Sequence, residues 1–167
     1  MCSSDLAHVY FDGLKVVVPD SLHFKSRNRR PPRDPFNALL SLTYTLAHAE
    51  TAIALYGAGL DPYVGFYHQL DFGRESLASD LLEAVRPLAD RFCLHLIRRQ
   101  TLAAEHFSSS DSGCLLGKAG RSHYYAAYEE YSEVLRAAIQ AQVEETARRV
   151  GNALEAAPFD SNEDFAE

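Results

Sequence analysis

The chain contains no tryptophan, one methionine and three cysteines among its 167 residues. Cys2, Cys93 and Cys114 are too few and too widely spaced for a disulfide framework or a zinc ligand set, so a reducing, cytoplasmic location is expected. No uncharged apolar run approaches the ~18–20 residues needed to cross a bilayer. The first residues also lack the basic stretch and apolar stretch of a secretory signal. We therefore expect no membrane partner.

The overall composition is that of a globular protein. Hydrophobic residues make up 47% of the chain and charged residues 23%, which excludes a wholly disordered chain. Nine glycines and seven prolines are too few for a collagen-like chain. The length suits one domain with its own core, with or without a tail.

The charge is distributed unevenly along the chain. The net charge of −7 argues against a nucleic-acid partner, but five acids and no base fall in the last 13 residues. Residues 25–33, called the basic loop below, hold five bases in nine positions: Lys25, Arg27, Arg29, Arg30 and Arg33. A local basic patch can bind phosphates whatever the net charge of the whole chain. The alternative, a solvated charged loop, stays open at this point.

Two strong helical patterns follow the basic loop. Asp34-Pro35 predicts a helix start, since Asp caps free N–H groups and Pro at the first position gives up no bond. The run 36–55 is apolar on nearly every side, which indicates a helix buried among others and ended by Gly57 and Gly59. From Ser76 a second stripe recurs every three or four residues and contains Pro87, which predicts a kink or two abutting helices. Its members are Leu77, Leu81, Val85, Leu88, Phe92 and Leu96.

The remaining patterns complete an all-α helical bundle. Residues 121–156 predict one long helix, and a short helix is expected around Tyr10 and Phe11, whereas residues 1–6 show no period. The serine-rich stretch 108–113 reads as a loop. We expect a residual segment 1–24, a helical metal- and DNA-binding domain 25–156 and an acidic, disordered tail 157–167.

The densest polar cluster lies between His68 and Arg86. Asp80 and Glu83 are three residues apart on the second helix, so they share a face at the edge of its apolar stripe. With His68 folding back from the preceding turn, the donors would suit Mg²⁺ or Mn²⁺, and Arg74 and Arg86 could hold phosphates. The alternative is also open, because acids at this spacing are common on surface helices and a histidine in a turn is often only solvated.

Other candidates are weaker. Residues 117–122 lack the spacing of a phosphate-binding loop and predict a turn, with Lys118 and Arg121 near a phosphate. His48 and Glu50 are either satisfied buried polar residues or part of a site. Four tyrosines could stack on bases, but their helical spacing favours core packing: Tyr124, Tyr125, Tyr128 and Tyr131.

Several separated motifs occur together in one order. Residues 27–41 read RNRRPPRDPFNALLS, residues 59–68 read GLDPYVGFYH, and residues 73–83 read GRESLASDLLE, followed by Arg86-Pro87. This series resembles the C-terminal helical domain of the CRISPR-associated adaptation endonucleases, the Cas-one family, over roughly residues 7–131. The family provides the integrase subunit that inserts new spacers into DNA.

The resemblance implies a metal-dependent DNA endonuclease and integrase. It places divalent-metal ligands, for Mg²⁺ or Mn²⁺, at His68, Glu83 and Asp80. It implies double-stranded or branched DNA, a second CRISPR adaptation protein and a second copy of the chain as partners. The residues expected to hold DNA phosphates are Arg27, Arg29, Arg30, Arg33 and Arg74.

The sequence also departs from the family pattern. We expect the N-terminal β-rich domain of the family to be missing from this sequence, since the position of its first metal-binding Glu falls near Cys2-Ser3-Ser4, which contains no Glu. We therefore expect a truncated or chimeric N-terminus, weak or absent catalysis by this chain alone, and doubtful self-association. A non-catalytic helical DNA-binding module and a helical protein-interaction module are the rival hypotheses.

Overall fold

The computed structural model describes residues 3–67 and 73–156, with side chains from His8 onward. In these two stretches four α-helices and one β-hairpin form, which confirms the all-α class. Two short 3-10 turns, Asp20–Leu22 and Ala104–His106, connect them. The elements in chain order are α1 (Ser3–Val17), α2 (Pro35–Gly57), α3 (Ser76–Arg98), β1 (Phe107–Ser110), β2 (Gly113–Leu116) and α4 (Lys118–Ala156).

Helix α2 is the centre of the fold and begins where the sequence predicts. The Asp34 carboxylate accepts a hydrogen bond from the Asn37 N–H at 2.8 Å, and Pro35 is the first helical residue. By length and composition α2 is the one described helix that could cross a membrane. Its apolarity has another explanation here, because α2 packs against both α3 and α4. Its fully buried apolar side chains are Phe36, Leu39, Leu40, Ala47 and Leu55.

Helix α3 runs without interruption past Pro87. The expectation of two abutting helices is therefore wrong, and one helix carries the whole apolar stripe. Leu81, Phe92 and Leu96 of this stripe are at most 5% exposed. The amphipathic pattern of α3 thus buries one face against α2 and α4.

Helix α4 is 39 residues long and begins three residues earlier than predicted. Tyr124 and Tyr128 are buried and contact the ring of Phe92, with centroids 5.8 Å from it in both cases. These two tyrosines belong to the core, so core packing is confirmed for them and they are not available to bases. Tyr125 is exposed, and Tyr131 is half-buried and stacks on Phe92.

Helix α1 is longer than the short helix expected around Tyr10 and Phe11. It begins at Ser3, inside the stretch 1–6 in which the sequence shows no helical period. Leu14, together with Val18 just beyond the helix, belongs to the same hydrophobic core as α2, α3 and α4. The expected domain boundary after residue 24 stays a prediction, and the acidic tail 157–167 lies outside the described residues.

The stretch 108–113 forms most of a β-hairpin, so the prediction of a loop is wrong. Ser109 of β1 pairs with Cys114 of β2 in an antiparallel ladder. Cys114 and Leu116 are buried and Leu115 between them is exposed, the alternation of a half-buried strand. The first strand is almost entirely serine, a residue type that gives no strand signal in sequence.

Candidate nucleic-acid groove

The basic loop, the first half of α2 and the first half of α3 enclose a groove of about 850 Å³. Five arginines line it. We call it the arginine groove. Its arginines are Arg27, Arg29, Arg30, Arg74 and Arg86.

Asn37 of α2 fixes the start of the basic loop, and Asn28 links that start to the end of the loop. Its side-chain oxygen accepts from the Asn28 N–H at 3.0 Å, and its side-chain nitrogen donates to the Ser26 carbonyl at 2.8 Å. The Asn28 side chain in turn accepts from the Arg33 N–H at 2.8 Å. The loop therefore enters and leaves along a fixed path beside the N-terminus of α2.

Arg27 turns inward from the loop and forms one wall of the arginine groove. Its guanidinium donates to the side chains of Asn37 at 2.9 Å and Ser41 at 3.2 Å, and to the Asn28 carbonyl. Burial lowers the pKa of Arg27, although an arginine remains charged. Arg27 thus contributes positive charge while most of its N–H groups bond within the protein.

A buried tyrosine and aspartate network lies behind this wall. The guanidinium carbons of Arg27 and Arg86 lie 5.4 and 5.1 Å from the centre of the Tyr44 ring, within the range of cation–π contacts. The hydroxyls of Tyr44 and Tyr10 both donate to the carboxylate of Asp90. Asp90 is only 2% exposed, and burial raises its pKa, against the opposing hydrogen bonds and the nearby guanidiniums.

The two predicted acidic ligands lie in different environments. Glu83 lines the arginine groove and accepts from the Arg86 guanidinium at 2.7 Å. Asp80 is 8% exposed, does not line the groove, and accepts from the backbone N–H groups of Phe66 and Tyr67, both at 2.9 Å. Asp80 therefore fastens the end of the turn after α2 to α3.

The third predicted ligand, His68, lies outside the described residues. Within residues 3–67 and 73–156 there is no group of three His, Cys, Asp or Glu side chains that could hold a metal ion. A carboxylate on a groove wall, as at Glu83, is a donor type that Mg²⁺ and Mn²⁺ accept. The metal-binding roles of His68, Glu83 and Asp80 remain predictions.

A second polar cluster, formed by His48, Glu75 and Ser79, lines the groove. His48 Nδ1 lies 3.4 Å from the Glu75 carboxylate, and its Nε2 lies 3.4 Å from the Ser79 hydroxyl. Of these three residues, only His48 was a candidate from the sequence; Glu75 and Ser79 were not. The spacing of Ser41, Thr45 and His48 places these three lining residues on one face of α2, but it gives no signal for Glu75 or Ser79.

The remaining basic candidates are divided by position. Arg29, Arg30 and Arg74 are exposed and line the groove, so their side chains face solvent there. Arg33 is exposed but is not among the lining residues. Arg121 donates to the Leu116 carbonyl at 3.1 Å, which places it beside the hairpin.

Comparisons with known proteins agree on one family. The family model described as CRISPR associated protein Cas1 matches residues 2–130. CRISPR-associated endonuclease Cas1 1 of Thermodesulfovibrio yellowstonii is 42% identical over 144 residues, which are 85% of this chain and 45% of that protein. CRISPR-associated endonuclease Cas1 3 of Thermus thermophilus is 44% identical over 124 residues, 74% of this chain and 37% of that protein. The chain thus spans less than half the length of these curated relatives.

Solved structures share the same helical arrangement. A CAS1 protein from Thermotoga maritima superposes with a TM-score of 0.77 at 28% identity, covering 85% of this chain and 48% of that one. A chain of the Cas6-RT-Cas1–Cas2 complex superposes with a TM-score of 0.78 at 27% identity, covering 90% of this chain and 18% of that one. The motif series, the helical fold and these matches lead to one conclusion: the chain belongs to the Cas1 family of CRISPR-associated proteins.

Proposed function

We propose that this chain is the helical, DNA-binding part of a CRISPR adaptation nuclease and integrase that cuts and joins DNA phosphodiesters with Mg²⁺ or Mn²⁺. One observation carries the proposal. Five guanidinium groups, from the basic loop, from the segment just before α3 and from α3 itself, converge on one groove whose wall also holds the Glu83 carboxylate. Cationic side chains for the backbone beside a carboxylate for an ion form the combination that phosphodiester chemistry needs.

The exposed arginines would bind the DNA backbone. Arg29, Arg30 and Arg74 line the groove with exposed side chains, and a guanidinium can hold a phosphate through two parallel hydrogen bonds. Arg27 and Arg86, held at the Tyr44 ring, would supply fixed positive charge behind them. Arg33 would contact the backbone outside the groove.

Glu83 and His68 would hold the metal ion, with Asp80 as the further acid of the set. A bound Mg²⁺ or Mn²⁺ would activate a water or a 3′ hydroxyl and stabilise charge on a phosphate oxygen. Asp80 receives the N–H groups of the two residues just before His68, so it also acts on the turn that leads to that histidine. In the free chain Arg86 pairs with Glu83 at 2.7 Å, so an incoming cation would share or replace this partner.

The relatives support both the activity and the partners. Curated relatives at 42–44% identity are endonucleases by name, and one solved neighbour is part of a complex with Cas2. We therefore propose duplex or branched DNA and a second CRISPR adaptation protein as partners. A homodimer and a cytoplasmic location remain predictions.

A second candidate, a helical DNA-binding module without catalysis, is favoured by a specific observation. Both described acids already have partners in the protein: Glu83 pairs with Arg86, and Asp80 receives two backbone N–H groups. A carboxylate must give up or share such partners to take an ion. DNA binding through the arginines needs no such exchange.

The experiment that separates the two functions measures binding and cleavage on the same DNA. Labelled branched and duplex DNA are incubated with the chain, with Mn²⁺, Mg²⁺ or chelator, and Mn²⁺ binding is followed by calorimetry. We expect DNA affinity that falls steeply with salt. We also expect Mn²⁺ binding and weak metal-dependent cleavage that are lost in His68→Ala and Glu83→Gln.

The matched control is Glu129→Gln, a change at an exposed position of α4 that does not line the groove. This variant should bind Mn²⁺ and DNA as the native chain does. Salt-dependent DNA binding with no Mn²⁺ binding would support the second candidate. The absence of DNA binding at low salt would refute both.

A further inference from the structure

The apex of the basic loop packs against the start of β2. The Cys114 N–H donates to the Pro32 carbonyl at 2.7 Å. Beside it, Gly113 lies so close to the loop that a Cβ atom there would be 2.7 Å from Pro31 Cβ and 2.9 Å from the Pro32 oxygen. Gly113 also has φ +118°, a conformation that other residues rarely adopt. This contact therefore requires glycine for two independent reasons.

The hairpin is itself firmly supported. Cys114 is fully buried, Leu116 is 8% exposed in the hydrophobic core, and β2 packs against α2. The base of the hairpin is closed by a hydrogen bond from the Gly117 N–H to the His106 carbonyl at 2.8 Å. The hairpin thus offers the basic loop a surface fixed to the core.

Arg29 and Arg30 lie between the two attachments of the loop. On one side Asn28 is held by Asn37, and on the other Pro31 and Pro32 are held by the hairpin. A loop ordered before binding loses less conformational entropy when it meets its ligand. The hairpin therefore acts on the segment that carries two exposed guanidinium groups of the arginine groove.

We propose that the hairpin Phe107–Leu116 is a positioning element for DNA binding, with Gly113 and the Cys114 N–H holding Pro31 and Pro32 so that Arg29 and Arg30 face the groove. This inference rests on the proposed function, because it concerns how the same groove meets DNA. The hairpin does not itself need to contact DNA. Its effect is to set how many phosphates the loop can reach.

The test compares Gly113→Ala with variants that leave the contact intact. Gly151→Ala is the matched control, since a Cβ at Gly151 meets no atom within 4 Å. Arg29→Ala combined with Arg30→Ala measures the full contribution of the two arginines. Pro31→Gly weakens the contact between Pro31 and Gly113 by a change in the exposed loop. It therefore serves as the test variant if Gly113→Ala does not fold.

The readout is the dissociation constant of a fluorescein-labelled DNA duplex as a function of salt, with the folded fraction measured by circular dichroism. Each lost phosphate contact lowers the slope of log affinity against log salt by about 0.9, whereas a smaller folded fraction changes affinity without changing the slope. We expect Gly113→Ala and Pro31→Gly to weaken binding about tenfold. The magnitude of the slope of log affinity against log salt should fall by the equivalent of about one to two phosphate contacts. Gly151→Ala should match the native chain.

Two results would overturn the inference, and they are distinguishable. Native affinity and native slope in folded Gly113→Ala and Pro31→Gly, with a reduced slope in the double arginine variant, would refute the role of the hairpin and leave the proposed function standing. The absence of salt-dependent binding by the native chain would refute the proposed function and this inference together.

Discussion

Asp90 carries a carboxylate that accepts hydrogen bonds from two tyrosines in a nearly closed site, and burial raises its pKa. Between the unfolded pKa and the raised folded pKa, the folded protein therefore holds a proton that the unfolded chain has released. From the unfolded pKa of about 3.9 upward to the raised value, the free energy of unfolding should fall as pH rises. Asp90→Asn cannot titrate and should lack this contribution, which urea unfolding at a series of pH values would measure.

The control for this prediction is Asp12→Asn. Asp12 is exposed, and the hydrogen bond from Lys15 lowers its pKa, so any effect has the opposite sign and appears as pH falls. Native and Asp90→Asn curves that run parallel above pH 4 would contradict the prediction. The nearby charges of Arg27 and Arg86 are present in both proteins and cancel in the comparison.

Asp34 contributes to the free energy of unfolding through its contacts with Asn37. Its carboxylate accepts from the Asn37 N–H and from the Asn37 side chain, so it caps α2 and also holds the residue that fixes the basic loop. Asp34→Ala should lower the free energy of unfolding by about 1–2 kcal/mol in urea denaturation. Glu129→Ala, at an exposed position, should change it far less; equal effects of the two changes would rule out a capping role.

Some of these residue roles could be predicted and others could not. The clustering of bases in nine positions was enough to predict a basic surface, and two of its exposed arginines, Arg29 and Arg30, do line the groove. Arg27 turns inward only because acceptors on Asn37 and Ser41 face it, which no local pattern reveals. Asp80 has the spacing of a ligand, yet the backbone of Phe66 and Tyr67 occupies its carboxylate.

The elements differ in the same way. Two adjacent residues, Asp34 and Pro35, determine the start of α2, so this start could be predicted from the sequence. The hairpin depends on contacts between Cys114 and Pro32, residues 82 positions apart, and its first strand has no strand-forming residues beyond Phe107. Local patterns therefore predict the helices, and tertiary contacts decide the hairpin.

Two glycines of α4 are predicted to respond in opposite ways to substitution by alanine: Gly120, beside the hairpin, and Gly151, near the end of the helix. An alanine Cβ at Gly120 would lie 2.6 Å from Leu116 Cδ1 and 3.0 Å from the His106 carbonyl oxygen, whereas Gly151 has open space. Gly151→Ala should raise the free energy of unfolding by up to about 1 kcal/mol through helix propensity. Gly120→Ala should lower it by about 1–3 kcal/mol through overpacking. Thermal or urea unfolding of both variants checks the pair, and stabilisation by Gly120→Ala would show that this junction is loose.

On the scale of the whole molecule, the hydrophobic core and the exposed arginines of the groove are separate regions. Phe92 of α3 contacts the rings of Tyr124, Tyr128 and Tyr131 of α4, and the core that includes them extends to α1 through Leu14. The exposed arginines of the groove, Arg29, Arg30 and Arg74, lie outside this core. Substitutions of these three arginines should therefore change binding without unfolding the chain.

Metal removal tests this separation directly. Because the core cluster of the described residues is formed by hydrophobic side chains that do not bind metal ions, chelator should leave the Tm of the free chain unchanged. With DNA present, Mn²⁺ should raise Tm, since a ligand that binds only the folded state at 100 times its Kd adds about 2.7 kcal/mol. Glu83→Gln should abolish this Mn²⁺-dependent increment and keep the increment from DNA alone, whereas Glu129→Gln should keep both. A lower Tm of the free chain in chelator would mean that an ion is part of the fold and that core and groove are not independent.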